Sequence, residues 1–385
     1  TDFDEEEIAR KHTLSASLAF AEWSKQKINL IDTPGIGNFF ADVRSALHVA
    51  DAAAVVVDAV AGVMVQTEKA WEAADELGLP RLIVLNRMDR ERASLDRSLQ
   101  SLRETCSRTV IPIQLPIGEE KSFKGVVDLV TKKAYLFEEG ESGKCREAAV
   151  PAAMTGAVDT AREQLIEMIA EADEALMERF FEAGTLTDEE LVGGLRAATA
   201  AGKVFPLVCT SGLANVGVQP LLDTILAYLP SPADRPFPAL GKGGQATTVK
   251  ADEKAGAAAF VWKTIADPFA GRITMFRVIS GTFKSDSTVH NRTRNVPERL
   301  GHLELLRSTG AFPDSIRQEI RRIYRDADRA ARIVRSLMVF AGSGRLQRRR
   351  AHILPVGMEL VRQLDGFLEH LLPCGLAEPA ECFFI

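Results

Sequence analysis

The sequence predicts an α/β fold built on a parallel sheet, and three observations lead there. Four mainly apolar runs, at 28–31, 52–57, 81–85 and 204–208, stay apolar without alternation. That is the pattern of strands covered on both faces of a parallel sheet. Each run stops at polar or turn-forming residues: Asp32, Asp58, Asn86 and Cys209-Thr210-Ser211. Between the second and third, Ala70, Trp71, Ala74 and Leu77 recur at helical spacing, with Gly78 and Pro80 as the stop. Strand, helix and strand then make a βαβ unit, whose crossover is right-handed.

The rhythm breaks over about 107–202, which reads as an α+β insertion. β-like segments at 110–115 and 123–137 open it, and a polar stretch runs on to Gly143. Helical patterns follow, one starting at Thr187 with Glu190 three residues on, the spacing of a capping box. The sheet resumes at 204–208, with a helix over 218–228 behind it, so 1–232 reads as one domain. After Leu229-Pro230-Ser231-Pro232 a Pro- and Gly-containing linker covers 233–250. Short β segments at 257–265, 271–280, 288–291 and 299–306 predict a small partial β-barrel over 251–308, with turns at Gly281 and Ser285-Asp286. Residues 309–385 read as a helical tail. Within it Ile316, Ile320, Ile323, Ala327, Ala330, Val334 and Leu337 form one apolar stripe on an Arg-rich helix pattern.

A chain of 385 residues with 46% apolar and 26% charged content has the composition of folded domains, not of a disordered, collagen-like or rod-like chain. The net charge of −6 gives no global attraction to DNA or acidic lipid, so any RNA contact needs a local patch. Cys106, Cys145, Cys209, Cys374 and Cys382 are scattered, odd in number and never in C-x-x-C spacing. That argues against a disulfide framework or zinc site and fits a reducing cytoplasm. No stretch approaches the roughly 18 to 20 apolar residues of a membrane helix, the run at 52–65 being broken by Asp58. The chain opens on Thr1, so the expectation is that it begins inside a longer gene product.

In open sheets of this kind ligands sit beyond the carboxyl ends of the strands. Asp32, Asn86, Asp89 and Thr210-Ser211 all fall there. In Asn86-Arg87-Met88-Asp89, the Asp carboxylate can accept two hydrogen bonds from the N1–H and N2–H₂ edge of guanine, which adenine cannot offer. Asn86 can bridge base and loop, and the stem of Arg87 can lie along the ring. In Asp32-Thr33-Pro34-Gly35, the carboxylate can hold Mg²⁺ through a water, and the Gly35 N–H can meet a terminal phosphate. Each motif alone is also an ordinary polar turn. The pair, each at a strand end, favours the nucleotide reading. His48, His290, His302, His352 and His370 show no ligand spacing, and no serine sits in a nucleophile elbow.

On these residues 1 to about 306 resemble translational GTPases, specifically elongation factor G. Asp32-Thr33-Pro34-Gly35 is similar to that family's phosphate-sensing motif. Asn86-Arg87-Met88-Asp89 resembles its guanine-reading motif, with Arg87 where Lys is usual. Cys209-Thr210-Ser211-Gly212 is similar to the loop that touches the guanine carbonyl. Arg10-Lys11-His12-Thr13 resembles the R-G-I-T of the first switch, which implies Thr13, with Asp32, as Mg²⁺ ligands. Residues 266–272 and 277–281 resemble the second, β-barrel domain. The resemblance implies a P-loop-GTPase-like sheet, GTP/GDP and Mg²⁺ as ligands, the ribosome as partner, and GTP hydrolysis coupled to translocation or a related ribosomal step.

Three departures qualify it. No G-x-x-x-x-G-K-[ST] occurs in the chain, so the first strand and phosphate loop are expected to be missing, with their N–H nest and Lys. Ile36 stands where the family usually has a His that orients the attacking water, and Ile can neither donate nor accept a hydrogen bond. The tail departs altogether, with a weak resemblance over 323–340 to a dimerisation helix of sensor histidine kinases. The competing reading is therefore a non-hydrolysing GTPase-like binding module, or a non-functional gene fragment.

Overall fold

A computed structural model of the chain describes residues 5–138, 143–241, 244–267, 271–301, 303 and 382–384. The chain divides into two units, Thr1–Leu306 with Ala377–Ile385, and Arg307–Leu376. Every described residue belongs to the first. The tail expected over 309–385 lies outside the described residues, except for 382–384, which form a strand instead of a helix.

In chain order, a short helix α1 (Glu5–Arg10) leads to the hairpin β1 (Ser17–Trp23) and β2 (Gln26–Thr33), then helix α2 (Phe40–Leu47). Next come β3 (Ala53–Asp58), α3 (Val65–Glu76), β4 (Arg81–Asn86) and α4 (Leu95–Thr105). Strands β5 (Val110–Pro112), β6 (Gln114–Ile117), β7 (Gly125–Asp128), β8 (Lys133–Phe137) and β9 (Cys145–Ala149) precede helices α5 (Thr155–Glu171), α6 (Glu174–Ala183) and α7 (Asp188–Ala200). Strand β10 (Phe205–Cys209) and helix α8 (Val218–Tyr228) follow. After these come β11 (Phe237–Leu240), β12 (Ala246–Val249), β13 (Ala258–Asp267), β14 (Gly271–Ser280), β15 (Thr288–Asn291) and β16 (Val296–Arg299). Strand β17 (Cys382–Phe384) is the last.

The fold is mixed α/β, as the apolar runs predict. Its main sheet has the order β1-β2-β17-β3-β4-β10-β5. Strands β3, β4, β10 and β5 are parallel. Their apolar runs are continuous because alternate residues feed two cores. Ala54, Val56, Leu82, Val84 and Val208 join a cluster with Leu165 and Ile169 of α5 and Leu191 of α7. Val55, Val57, Ile83, Leu85 and Leu207 join another with Trp71 of α3 and Leu102 of α4. Arg81, only 2% exposed, lies over the rings of Trp71 and Phe205, a cation–π contact that holds α3 to the sheet.

The run at 28–31 behaves differently. β2 pairs antiparallel with β1, and Asn29 is exposed beside buried Ile28. Four apolar residues are too few to separate a half-covered hairpin strand from a fully covered one. β2 reaches the parallel strands through β17, which runs antiparallel to both, with Phe383 opposite Asp32 on one side and Ala54 on the other.

Within the span read as an insertion, β5 is a parallel edge strand of the main sheet. The strands β6-β7-β8-β9 form a separate antiparallel sheet, and α7 starts with the Thr187–Glu190 capping box. The span read as a linker, 233–250, carries an antiparallel strand pair, β11-β12, and in the second domain the described strands make two further two-stranded antiparallel sheets, β13-β14 and β15-β16. Strand β16 ends at Arg299 as one arm of a hairpin with β15, and of the strand expected over 299–306 residues 302 and 304–306 lie outside the described residues.

Candidate functional site

Parallel pairing of β3, β4 and β10 places their carboxyl ends side by side. Asp58 stands opposite Asn86, and Cys209 opposite Leu85. Beyond those ends the loops are tied together by hydrogen bonds. The Asn86 carboxamide oxygen accepts from the Gly212 N–H at 2.9 Å and from the Thr210 hydroxyl at 3.4 Å. The Met88 N–H donates to the Thr210 carbonyl at 3.1 Å, and the Met88 side chain is anchored in the core. Ser211 and Val216 exchange backbone hydrogen bonds of 2.9 and 3.0 Å, closing the loop that contains Gly212. Gly217 then turns the chain into α8 at φ 81°, where a Cβ would lie 2.4 Å from the Cys209 carbonyl oxygen. Burial pushes the Cys209 thiol up to about 12, so this strand end carries no thiolate.

Asp89 is half-buried at the rim of this loop pair. Among the described residues its carboxylate has no hydrogen-bond or ion-pair partner, which leaves both oxygens as acceptors. Arg87 has φ 66°, and its guanidinium pairs with Asp58 Oδ2 at 2.9 Å. Asp58 Oδ1 in turn accepts from the N–H groups of Val60 and Ala61 at 2.7 and 3.2 Å. The charged head of Arg87 is thereby fixed, and its stem is what remains to face a ligand.

The other half of the site lies at the end of β2. Asp32, Thr33 and Thr13 are fully buried, and the Thr13 hydroxyl donates to Asp32 Oδ2 at 3.5 Å. Pro34 is buried too, while Gly35 and Ile36 are half-buried and lead into α2. The segment around Thr13 is shaped by Glu7, whose Oε1 accepts from the N–H groups of Leu14 and Ser15 at 2.8 and 3.1 Å. Lys11, where the resembled family has Gly, sits at φ 57°, the left-handed region that favours glycine.

The sequence-predicted residues therefore fall into two groups: Asn86, Arg87, Met88, Asp89, Thr210, Ser211 and Gly212 at one end, and Thr13, Asp32, Thr33, Pro34, Gly35 and Ile36 at the other. Asp58 and Glu7 were missed as members. Asp58 reads from sequence only as a strand end, and its charge opposite to Arg87 is the one available clue. Glu7 is one of three consecutive glutamates with nothing to single it out.

The donor sets suit the expected ligands. Asp89 offers two acceptor oxygens to a base edge bearing two donors. Thr13 and Asp32 offer hard oxygens of the kind Mg²⁺ takes together with water and phosphate. No group of three or more His, Cys, Asp or Glu that could hold a metal occurs among the described residues.

Residues 1–231 match the elongation factor Tu GTP binding domain family, and residues 256–310 match elongation factor G domain 2. The chain is similar to a protein of Thermus thermophilus of known crystal structure, with 34% identity and a TM-score of 0.68. That similarity covers 79% of this chain and 43% of the other.

Proposed function

The chain belongs to the translational GTPases of the elongation factor G type, and on that footing we propose that it binds guanine nucleotide with Mg²⁺ across the two ends just described. The observation that carries the reading is the unpartnered Asp89 carboxylate beside the Asn86–Gly212 tie. Asp89 would select guanine by accepting from its N1–H and N2–H₂ groups, and an adenine there would leave the carboxylate unsatisfied. Asn86 holds the second loop in place, and Arg87, fixed on Asp58, gives its stem to the ring face. Thr13 and Asp32 would hold Mg²⁺, whose chemistry is to neutralise phosphate charge. Gly35, without a Cβ, lets the backbone N–H come close to a phosphate oxygen. The proposed partner is the ribosome, the proposed setting the cytoplasm, and the proposed role translocation or a related ribosomal step.

A second reading, binding without efficient hydrolysis, is favoured by Ile36. Its side chain cannot orient a water or move a proton.

Titration of the full chain with a fluorescent GTP analogue in Mg²⁺, with ATP as competitor, tests the first reading. Guanine-selective binding in the micromolar range is expected. Absence of binding, or displacement by ATP as readily as by GTP, overturns it. Single-turnover hydrolysis with added ribosomes separates the second, since a pure binder shows no stimulation.

A further inference from the structure

Strand β13 carries a bulge. Val261 stands opposite Phe276 and Lys263 opposite Met275, so Trp262 is an extra residue on its strand. In a regular strand neighbouring side chains point to opposite faces, and a bulge re-aims them. Here both Trp262 and Lys263 reach α2. Trp262 packs against the cluster that contains Val43, Ala46 and Leu47 of that helix. Lys263 is 11% exposed, and its ammonium donates to Asp42 Oδ2 at 2.9 Å, to the Ala16 carbonyl at 2.7 Å and to the Ser15 hydroxyl. The same Asp42 oxygen accepts from the Ala16 N–H at 2.7 Å.

An ammonium has three N–H donors, and all three are used. The partners come from two different segments. Ser15 and Ala16 stand two and three residues after Thr13, and Asp42 lies in the first turn of the helix entered from Asp32-Thr33-Pro34-Gly35. The loop past the end of α2 is also held by the second domain, through Arg277 to the Val49 carbonyl and to Asp51 Oδ1 at 2.7 Å. These Arg277 contacts touch only that loop. Among the described residues of the second domain, Lys263 alone is hydrogen-bonded to both segments of the phosphate end, and Trp262 beside it packs against the cluster that contains Ala16 and the α2 residues. Displacement of one segment relative to the other strains or breaks a bond to a largely buried cation.

We propose that Lys263 is a positioning residue through which the second domain reads the state of the segments carrying Thr13 and Asp32. The proposal rests on the guanine-nucleotide reading for what those segments sense, but the three-way tie itself does not depend on it. A ligand that shifts residues 14–16 relative to α2 must loosen or re-form the Lys263 bonds, and the strand bearing it moves or relaxes in response.

Hydrogen–deuterium exchange on the full chain, wild type against Lys263→Met and Lys263→Arg, tests this without nucleotide and with GDP or a non-hydrolysable GTP analogue. Without nucleotide, Lys263→Met is expected to raise exchange at Ala16 and over 40–47 together, by about fivefold or more, with Lys263→Arg restoring part of the protection. Unchanged exchange in both segments overturns the inference, even where the wild type binds no guanine nucleotide and the functional reading has failed. With nucleotide bound, the wild type is expected to show different exchange in β13 for the GTP analogue and for GDP, and Lys263→Met to lose that difference. Persistence of the difference in Lys263→Met also overturns it. Should Lys263→Met fail to fold, Asp42→Asn keeps the shape of the contact, removes its charge, and is read by the same two comparisons.

Discussion

The two ends of the candidate site are built in opposite ways. The end around Asn86 and Asp89 sits on parallel strands paired over six successive positions, from Ala53–Arg81 to Asp58–Asn86, with both faces covered. Its loops are tied to one another by Asn86, Thr210 and Gly212. The end around Asp32 hangs on a hairpin that meets the parallel strands, among the described residues, only through the three residues of β17. Ile28 and Ile31 pack it onto two core clusters, and its polar ties include single side chains from separate elements: Glu7 on one side and Lys263 in the second domain on the other. A region wired by consecutive strand pairing should hold its geometry with or without ligand. A region held by single side chains from distant elements is suited to change.

The largest expected effect lies at the rigid end. Asp89→Asn turns one of the two proposed acceptors into a donor facing a guanine donor and strips the charge from the other, a loss of about 3 to 6 kcal/mol, or roughly 10² to 10⁴ in affinity, and shifts preference toward xanthine nucleotides. Competition binding reads this, and the denaturation midpoint should stay put, because Asp89 has no partner to lose. Equal loss of stability would mean that Asp89 is structural.

Asn86→Ala comes next. It leaves the Gly212 N–H and the Thr210 hydroxyl without their shared acceptor, at a cost of about 1 to 3 kcal/mol read by urea denaturation. A change near zero would show that the two loops are not coupled through this side chain.

Removing residues 382–385 sharpens the contrast directly. Amide exchange over 31–33 and 53–54 should rise by about tenfold while that over 83–85 and 207–209 is unchanged. Uniform acceleration across the sheet would erase the distinction between the two ends.

The smallest effect is a pH dependence at the loop past α2. Burial raises the Asp51 carboxyl above its ordinary 3.8, against the lowering influence of Arg277. The folded chain therefore holds a proton that the unfolded chain has released, and this group adds stability as pH falls through the window just above 3.8. Asp51→Asn should remove that slope from the pH dependence of the denaturation midpoint. An unaltered slope would assign it to other carboxylates.

Much of the site was legible because strand ends are legible. Continuous apolar runs that stop at Asp58, Asn86 and Cys209 already define parallel strands and the row of residues beyond them. The guanine-reading role proposed for Asn86 and Asp89 rests on residue chemistry alone, since a carboxylate at that place matches a base edge with two donors. Asp58 and Lys263 were not legible as members of the site, because each acts on residues far along the chain. Glu7 works locally, but it is hidden among neighbouring glutamates. The hairpin nature of β2 escaped for a different reason: four apolar residues look the same whether one face is covered or two.

Local pattern was enough for the α/β class, the capping box at Thr187, the helix over 218–228 and the chemistry of Asn86 and Asp89, because these depend on periodicity and on functional groups that the residues carry wherever they lie. Tertiary structure alone decided which strand lies beside β2, which cation holds α2, and that Arg87 is anchored on Asp58. Those outcomes turn on pairings between segments tens to hundreds of residues apart, and a pairing partner is a property of the folded chain that no local pattern encodes.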